Sequence, residues 1–271
     1  MNLDDVRNAY ISDGFNYLES GSRTCQDVIL ALIAKSPLAK NVTIKGGVVL
    51  QHISGDSRRA TQDIDFDFIK YSLSEESIGK FIEKLNDSSD DVDISITAPI
   101  EELKHQDYNG KRIYIRLTDS EGTSIDTKLD IGVHKDVHME QEMYCFDLSK
   151  LDDSVNLLVN TKEQIFAEKL KSLLRLGNVS TRYKDVFDMY WLSTESTLDA
   201  SIMLSRLKSV VFDDVTMKEN NTDDIISRLE KVFSNSHFIN SLGRSKRHNW
   251  LEIDTAQVTN GLLNYFQNLE L

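Results

Sequence analysis

The sequence predicts an α/β protein of the α+β kind, with a core on a mixed, twisted sheet over residues 1–150 and a helical C-terminal lobe over residues 151–271. Two observations predict this division. In the first part, apolar and polar residues alternate strictly in two stretches, which is typical of strands with one packed face. After about residue 150, apolar residues recur at a spacing near 3.6, as they do in amphipathic helices. The length also fits two domains of ordinary size.

The elements of the first part follow from local spacing. A helical pattern runs from Val6 to Ile33 and ends before Pro37. The two alternating stretches, residues 63–68 and 125–133, are expected to be strands with one buried face. Further elements are expected as strands at 41–44, 92–97 and 112–117 and as helices at 48–53 and 77–85.

The second part begins with a helix start signal. Thr161 and Gln164 fit a capping box, and the helix behind them is expected to end at Gly177. More helices are expected at 182–192, 201–210, 223–233 and 255–269. The second part is therefore predicted to be helical throughout.

Composition excludes several classes of protein. The formal charge is −13, from 31 basic and 44 acidic residues, so overall charge gives no support to a polyanion partner. No window approaches the ~18 apolar residues of a membrane span, and the N-terminus lacks the layout of a signal peptide. Two cysteines are too few for a disulfide framework. We expect a cytoplasmic protein with reduced thiols and no membrane contact.

A candidate metal site comes from acids in the alternating stretches. Side chains alternate along a strand, so Asp63 and Asp65 are expected to point the same way, about 7 Å apart. Mg²⁺ prefers oxygen ligands and is commonly held by one or two carboxylates plus substrate phosphates. Asp130 would add a third acid and allow two ions to act on one phosphorus centre. The alternative is that Asp63, Asp65 and Asp67 form a solvated strand face, although like charges on one face repel.

A candidate phosphate site is the turn Lys45-Gly46-Gly47, between a predicted strand and a predicted helix. Glycine permits close backbone approach, and amides at a helix N-terminus bind phosphate. A Gly-Gly pair alone is more often an ordinary turn, so the interpretation depends on its place between a strand and a helix. Arg58 and Arg59 precede the next strand and either hold phosphate or balance the nearby aspartates.

These residues resemble the nucleotidyltransferase superfamily with a polymerase-β-like palm. Within it, the best match is the AbiEii-type group, which includes the MenT-like toxins of bacterial toxin–antitoxin systems. The resemblance covers roughly residues 40–192. Four blocks carry it in order: Gly46-Gly47; Arg59-x-Thr61-x-Asp63-Ile64-Asp65; Lys128-Leu129-Asp130-Ile131; and Glu168-Lys169-Leu170 with Arg182-x-Lys184-Asp185-Val186-Phe187-Asp188. Gly47 departs from the pattern, because many superfamily members have Ser there, whose hydroxyl contact to phosphate is then lost.

The resemblance implies a role for each matched residue. It implies a nucleotidyltransferase core followed by the helical lobe, with the active site formed by residues of both. The implied roles are as follows: Mg²⁺ binding by Asp63, Asp65 and Asp130; activation of the acceptor by Asp130; nucleotide binding by Lys45, Gly46, Gly47, Arg59, Thr61 and Lys169; and a catalytic acid at Asp185, which orients Lys169 or the acceptor.

Ordinary structural roles compete with these functional ones in the second part. Lys169 and Lys171 are also compatible with solvent-facing helix lysines whose stems cover apolar surface. Asp185 and Asp188 share one side of a helix and could form ion pairs within it. The segment 244–250 carries three fixed positive charges beside a tryptophan, and either holds a nucleic-acid acceptor or forms a solvated basic turn.

The resemblance implies a Mg²⁺-dependent enzyme that moves a nucleoside monophosphate from an NTP to an acceptor hydroxyl. It also implies the toxin half of a toxin–antitoxin or phage-defence pair, with an antitoxin as partner and the 3′ end of tRNA as acceptor. Two alternatives stay open at this point. The same fold could modify a small molecule such as an antibiotic, or a protein side chain, and the acidic balance fits a cationic small substrate better. The chain could also be a degenerate nucleotide-binding module that acts through a protein partner.

Overall fold

The computed structural model describes residues 1–103, 110–133, 141–244 and 248–269. The chain forms two compact units, Met1–Asn160 and Thr161–Leu271, which we call the core unit and the helical unit. The described residues form ten α-helices and eight strands, which confirms the predicted α+β class. None of these described helices is long and apolar enough to cross a membrane.

The core unit is built from four helices and eight strands in its described part. The helices are α1 (Leu3–Ser12), α2 (Tyr17–Lys35), α3 (Gly46–Ser54) and α4 (Glu75–Asn86). The strands are β1 (Val42–Ile44), β2 (Ile64–Phe68), β3 (Val92–Ile96), β4 (Glu101–Leu103), β5 (Gly110–Asp119), β6 (Ser124–Val133), β7 (Gln141–Leu148) and β8 (Asp153–Asn160).

These strands form one mixed sheet in the order β3-β5-β6-β2-β1-β8-β7, with β4 paired to β5. Strand β2 runs parallel to β6, and β1 runs parallel to β8. The other neighbouring strands are antiparallel. The parallel pairing of β2 with β6 sets the register between the two strands that carry the predicted metal ligands.

The two faces of β2 differ as the alternation predicts. Ile64, Phe66 and Phe68 are fully buried, and the two phenylalanine rings lie 5.5 and 5.1 Å from the ring of Phe81 in α4. Burial of this apolar face stabilises the sheet by removing large side chains from water. The opposite face of β2, which we call the polar face, carries the aspartates. The packed face therefore anchors the strand that presents the acids.

The opening helical pattern forms two helices instead of one. Helix α1 ends at Ser12, and Gly14 follows with a φ of +95°, a conformation that glycine adopts readily. Asn16 then begins α2 by accepting a hydrogen bond from the backbone of Glu19, whose side chain bonds back to Asn16. The break was missed because apolar spacing continues on both sides of this capping box.

The core unit ends at Asn160, ten residues beyond the domain boundary that the sequence predicts near residue 150. The hairpin of β7 and β8 was not predicted, because β7 lies at the edge of the sheet and exposes Met143 and Cys145. Strand β8 pairs with β1, with Leu158 opposite Thr43. This pairing makes residues 153–160 part of the sheet and not of the helical unit.

The helical unit contains six helices in its described part: α5 (Lys162–Leu176), α6 (Tyr183–Thr194), α7 (Ala200–Leu207), α8 (Thr222–Phe233), α9 (Ser236–Arg244) and α10 (Thr255–Gln267). Thr161 caps α5 by accepting from the backbone N–H of Gln164 at 3.2 Å. The Gln164 side chain donates instead to Glu168 at 2.7 Å, so that half of the predicted capping box forms. Helix α9 was not predicted.

A buried acid joins the first two helices. Asp27 of α2 is 3 % exposed and accepts a hydrogen bond from the Tyr10 hydroxyl. Burial raises the pKa of Asp27 from 3.8 to about 6, against the opposing effects of Tyr10, Arg23 and Lys150, while Asp147 adds to the rise. The folded state therefore favours the protonated carboxyl. The stabilisation of the folded state by the protonated Asp27 carboxyl is complete below pH ~4. It is lost as pH rises through about 6.

We predict that Asp27→Asn removes this pH dependence, because the amide stays neutral and its oxygen can still accept from Tyr10. The shift of about 2 pKa units corresponds to ~3 kcal/mol. The stability of the variant relative to the wild type should therefore rise by up to that amount between pH 4 and pH 7. Urea unfolding at both pH values measures the difference, with the exposed Asp90→Asn as control. A relative stability that is the same at both pH values would contradict this account.

Candidate active site

The glycine turn connects β1 to α3 directly beside Asp65. Gly46 has a φ of +64°, and a Cβ on it would lie 2.9 Å from the Asp65 carboxylate oxygen Oδ2. The backbone N–H of Lys45 donates to the Asp65 carbonyl at 3.0 Å. Glycine is therefore required at 46 both for its backbone conformation and for the close approach of a carboxylate. The turn at the start of α3 thus lies against Asp65.

The second glycine makes room for a neighbouring hydroxyl. A Cβ on Gly47 would lie 2.6 Å from Oγ1 and 2.9 Å from Cβ of Thr61. Thr61 is held by its backbone, since its N–H donates to Gln51 at 3.0 Å and its carbonyl accepts from Gln26 at 2.9 Å. The Thr61 hydroxyl thus occupies the space that a serine side chain at 47 would need. This explains the departure of Gly47 from the superfamily pattern.

The register of the sheet brings two predicted metal ligands side by side. Asp65 of β2 is the Cα partner of Asp130 of β6. Side chains at paired positions project from the same face, and neighbouring strands lie only about 4.8 Å apart. Asp65 and Asp130 therefore meet on the polar face, beside the glycine turn. This pairing could not be read from the sequence, because it depends on which strands become neighbours.

Arg112 holds the third acid and was missed by the sequence reasoning. It is the register partner of Asp130 on β5, and its Nε and Nη2 donate to the two carboxylate oxygens at 2.8 and 2.7 Å. These hydrogen bonds raise the pKa of the Arg112 guanidinium. Asp130 is only 7 % exposed, so a bidentate arginine is the partner its charge needs. The only sequence signal was a basic residue at the start of the predicted strand 112–117.

Two further acids, Asp63 and Asp67, form ion pairs with lysines. Asp63 forms an ion pair with Lys128 at 2.8 Å, and both side chains are partly exposed. Asp67, 3 % exposed, forms one with Lys45 at 2.7 Å. In the described part of the chain, no group of three or more His, Cys, Asp or Glu residues is close enough to hold a metal ion as it stands. The carboxylates at 63, 67 and 130 are neutralised by protein cations.

Arg58 and Arg59, in the loop before β2, have different surroundings. Arg58 donates to Asp56 at 2.7 and 3.1 Å and stays about half exposed. These hydrogen bonds lower the pKa of Asp56. Arg59 is 2 % exposed. Arg58 thus balances an aspartate, as one of the two alternatives expected.

In the helical unit, Lys169 of α5 lies between two acids of α6. Its ammonium contacts the carboxylate of Asp185 and lies 2.9 Å from that of Asp188. Asp188 is fully buried, and the Lys169 side chain is only 12 % exposed. Lys171 is also buried and pairs with Asp214, and the hydrogen bond from Lys171 lowers the pKa of Asp214 to about 2. Neither lysine is an ordinary surface residue.

The basic segment of residues 244–250 is described only in part. Residues 245–247 lie outside the described residues. Trp250 is 3 % exposed, and its indole Nε1 donates to Asp188 at 3.0 Å. Of the two alternatives for this segment, stacking of the Trp250 ring on a nucleic-acid acceptor is excluded, because the ring is packed inside the protein.

Strands β2 and β6, the glycine turn and the paired acids define a nucleotidyltransferase-like core of the α+β class. Residues 28–249 match the family model described as "Nucleotidyl transferase AbiEii toxin, Type IV TA system". The chain belongs to this family of nucleotidyltransferase toxins from type IV toxin–antitoxin systems, which confirms the resemblance. The family implies a nucleotide substrate and an antitoxin counterpart. No curated protein matches the sequence.

We predict that Gly47→Ser destabilises the core unit, because its side chain would overlap Thr61. Overpacking of this kind costs about 1–3 kcal/mol. Combining Gly47→Ser with Thr61→Gly frees the space, so the two substitutions should be coupled by a similar amount. Urea unfolding of the wild type, both single variants and the double variant measures this coupling. Additive effects would show that the overlap is absent.

We predict that Arg112 and Asp130 are strongly coupled in stability. A double-mutant cycle with Arg112→Met and Asp130→Asn should give about 1–3 kcal/mol, because Asp130 is buried. The matched control is the bidentate pair of Arg116 and Asp126 on the same two strands, at 2.7 and 3.0 Å. Both of its side chains are exposed, so its coupling should be at most ~0.5 kcal/mol. Equal coupling energies for the two pairs would refute the special role of Arg112.

Proposed function

We propose that the protein is a Mg²⁺-dependent nucleotidyltransferase. It transfers a nucleoside monophosphate from an NTP to an acceptor hydroxyl and releases pyrophosphate. The single observation that carries the proposal is the register pairing of Asp65 with Asp130 beside the glycine turn. Two carboxylates and a phosphate-binding turn on one surface suit the binding of a metal–triphosphate complex.

The donor set suits magnesium. Asp65 and Asp130 would hold the ion through carboxylate oxygens, the hard ligands that Mg²⁺ prefers. Asp63 would join them as the third acid once released from its ion pair with Lys128. When bound, the ion neutralises phosphate charge and lowers the pKa of an attacking hydroxyl. Arg112 orients Asp130 through its two hydrogen bonds, so that one carboxylate edge has a defined direction.

The protein residues supply the remaining chemistry. Amides at the start of α3, with Lys45 and Arg59, bind the triphosphate, and the Thr61 hydroxyl takes the place of the missing serine at 47. The acceptor oxygen attacks the α-phosphorus, the bond from that phosphorus to the bridging oxygen breaks, and pyrophosphate leaves. Asp130 accepts the proton of the acceptor hydroxyl.

The resemblance to the family assigns two residues of the helical unit to the reaction. Lys169 stabilises the charge that develops on the leaving phosphates, as a point charge would. Asp185 contacts the Lys169 ammonium and orients it.

We propose that the acceptor is the 3′ end of tRNA and that the protein acts in toxin–antitoxin or phage-defence systems. Of these, only the toxin–antitoxin role accords with the description of the matched family. A second candidate acceptor is a cationic small molecule such as an aminoglycoside. The net charge of −13 favours it, since an acidic protein repels RNA at long range.

The test of this function is incorporation of labelled NTPs, each supplied separately with Mg²⁺ and total tRNA. The wild type should label tRNA with at least one NTP. Asp65→Asn and Asp130→Asn should each reduce the rate on the order of 10³-fold, equivalent to several kcal/mol of charge stabilisation. Asp126→Asn, an exposed acid on the same strand as Asp130, should stay within about twofold.

Three outcomes would contradict the proposal or part of it. Absence of labelling with every NTP would exclude the reaction, and full activity of Asp65→Asn would exclude Asp65 from its active site. Labelling of an aminoglycoside that is not competed by tRNA would replace the acceptor and keep the chemistry.

A further inference from the structure

Trp250 occupies a position that the family match does not include, because that match ends at residue 249. It lies in the turn between α9 and α10 and is 3 % exposed. The Asn249 side chain donates to the Ile253 carbonyl at 2.8 Å and accepts from the Ile253 N–H at 3.4 Å, which closes the turn. The Trp250 ring also packs against Trp191, with 6.0 Å between centroids. Both contacts restrict the motion of the indole.

The indole N–H is aimed at a buried carboxylate. Nε1 of Trp250 donates to Oδ1 of Asp188 at 3.0 Å, and Oδ2 of the same carboxylate lies 2.9 Å from the ammonium of Lys169. Asp188 is fully buried, so water does not contribute to the solvation of its charge. Each oxygen has a different partner, which fixes the rotation of the carboxylate. Trp250 thus contributes to the direction in which Asp188 holds Lys169.

We propose that Trp250 is a positioning residue that acts on Lys169 through Asp188. Tryptophan suits this task, because its indole only donates and its ring is rigid. The inference rests on the proposed function, in which the Lys169 ammonium must meet developing phosphate charge at a defined place. Preorganised charges stabilise a transition state only when their supports hold them in place.

The test is Trp250→Phe, which keeps an aromatic ring and removes the N–H donor. Trp191→Phe, the same change in the neighbouring ring on α6, is the matched control, because it keeps an aromatic ring against Trp250. If the wild type turns over an NTP, kcat of Trp250→Phe should fall about 10-fold. This is the lower end of the loss of activity expected when a supporting hydrogen bond is removed. The KM for the NTP should change less than kcat, since the loss is felt mainly in the transition state. Trp191→Phe should stay within about twofold.

A second readout does not depend on turnover. In ¹⁵N NMR spectra, the Lys169 ammonium should become more mobile in Trp250→Phe and stay unchanged in Trp191→Phe. If no NTP is turned over, the proposed function fails and this measurement still decides the positioning role. If Trp250→Phe does not fold, Asp188→Asn takes its place: the Trp250 indole N–H resonance should shift, and the Lys169 ammonium should become more mobile.

The outcomes separate positioning from packing. A lower melting temperature with unchanged kcat and unchanged Lys169 mobility would show that Trp250 only fills the core and would overturn the proposal. An unshifted indole resonance in Asp188→Asn would do the same. A reduced kcat together with a more mobile Lys169 would support it.

Discussion

Charge compensation on the polar face of the sheet is the constraint on which the structure of the core unit depends. Strands disfavour aspartate, and like charges on one face repel. Here a cation from a neighbouring element faces each of three acids: Lys128 faces Asp63, Lys45 faces Asp67, and Arg112 faces Asp130. The sheet can therefore present a row of acids without a bound metal. A metal–triphosphate complex would meet carboxylates that are already oriented.

The helical unit uses the same principle with the signs reversed. There a single lysine, Lys169, lies between Asp185 and Asp188, and the indole of Trp250 fixes the more buried of the two acids. A buried charge pair is costly unless every lone pair is satisfied, which the neutral indole donor helps to achieve. Both units thus hold buried charges in hydrogen-bonded pairs, a condition for electrostatic stabilisation of a transition state.

Local pattern was sufficient to predict much of the fold. Alternation in residues 63–68 gave β2 with its buried and polar faces, and helical spacing gave α5 and α6. Local pattern does not predict contacts between residues that are distant in the sequence. Arg112 was missed because its partner is set by the pairing of β5 with β6. The two alternatives for the segment of Trp250 stayed open because sequence does not distinguish a buried indole from an exposed one. The roles of Asp63, Asp65, Asp130 and Lys169 in catalysis stay predictions.

The central claim is that the register pair Asp65 and Asp130 binds the metal of a nucleotide complex. The most direct measurement is a crystal structure with Mn²⁺ and a non-hydrolysable NTP analogue, in which anomalous scattering locates the ion. We expect the Mn²⁺ peak between the carboxylates of Asp65 and Asp130, with the triphosphate against the turn at Gly46. A peak elsewhere, or an analogue bound away from β2 and β6, would contradict this assignment of the active site.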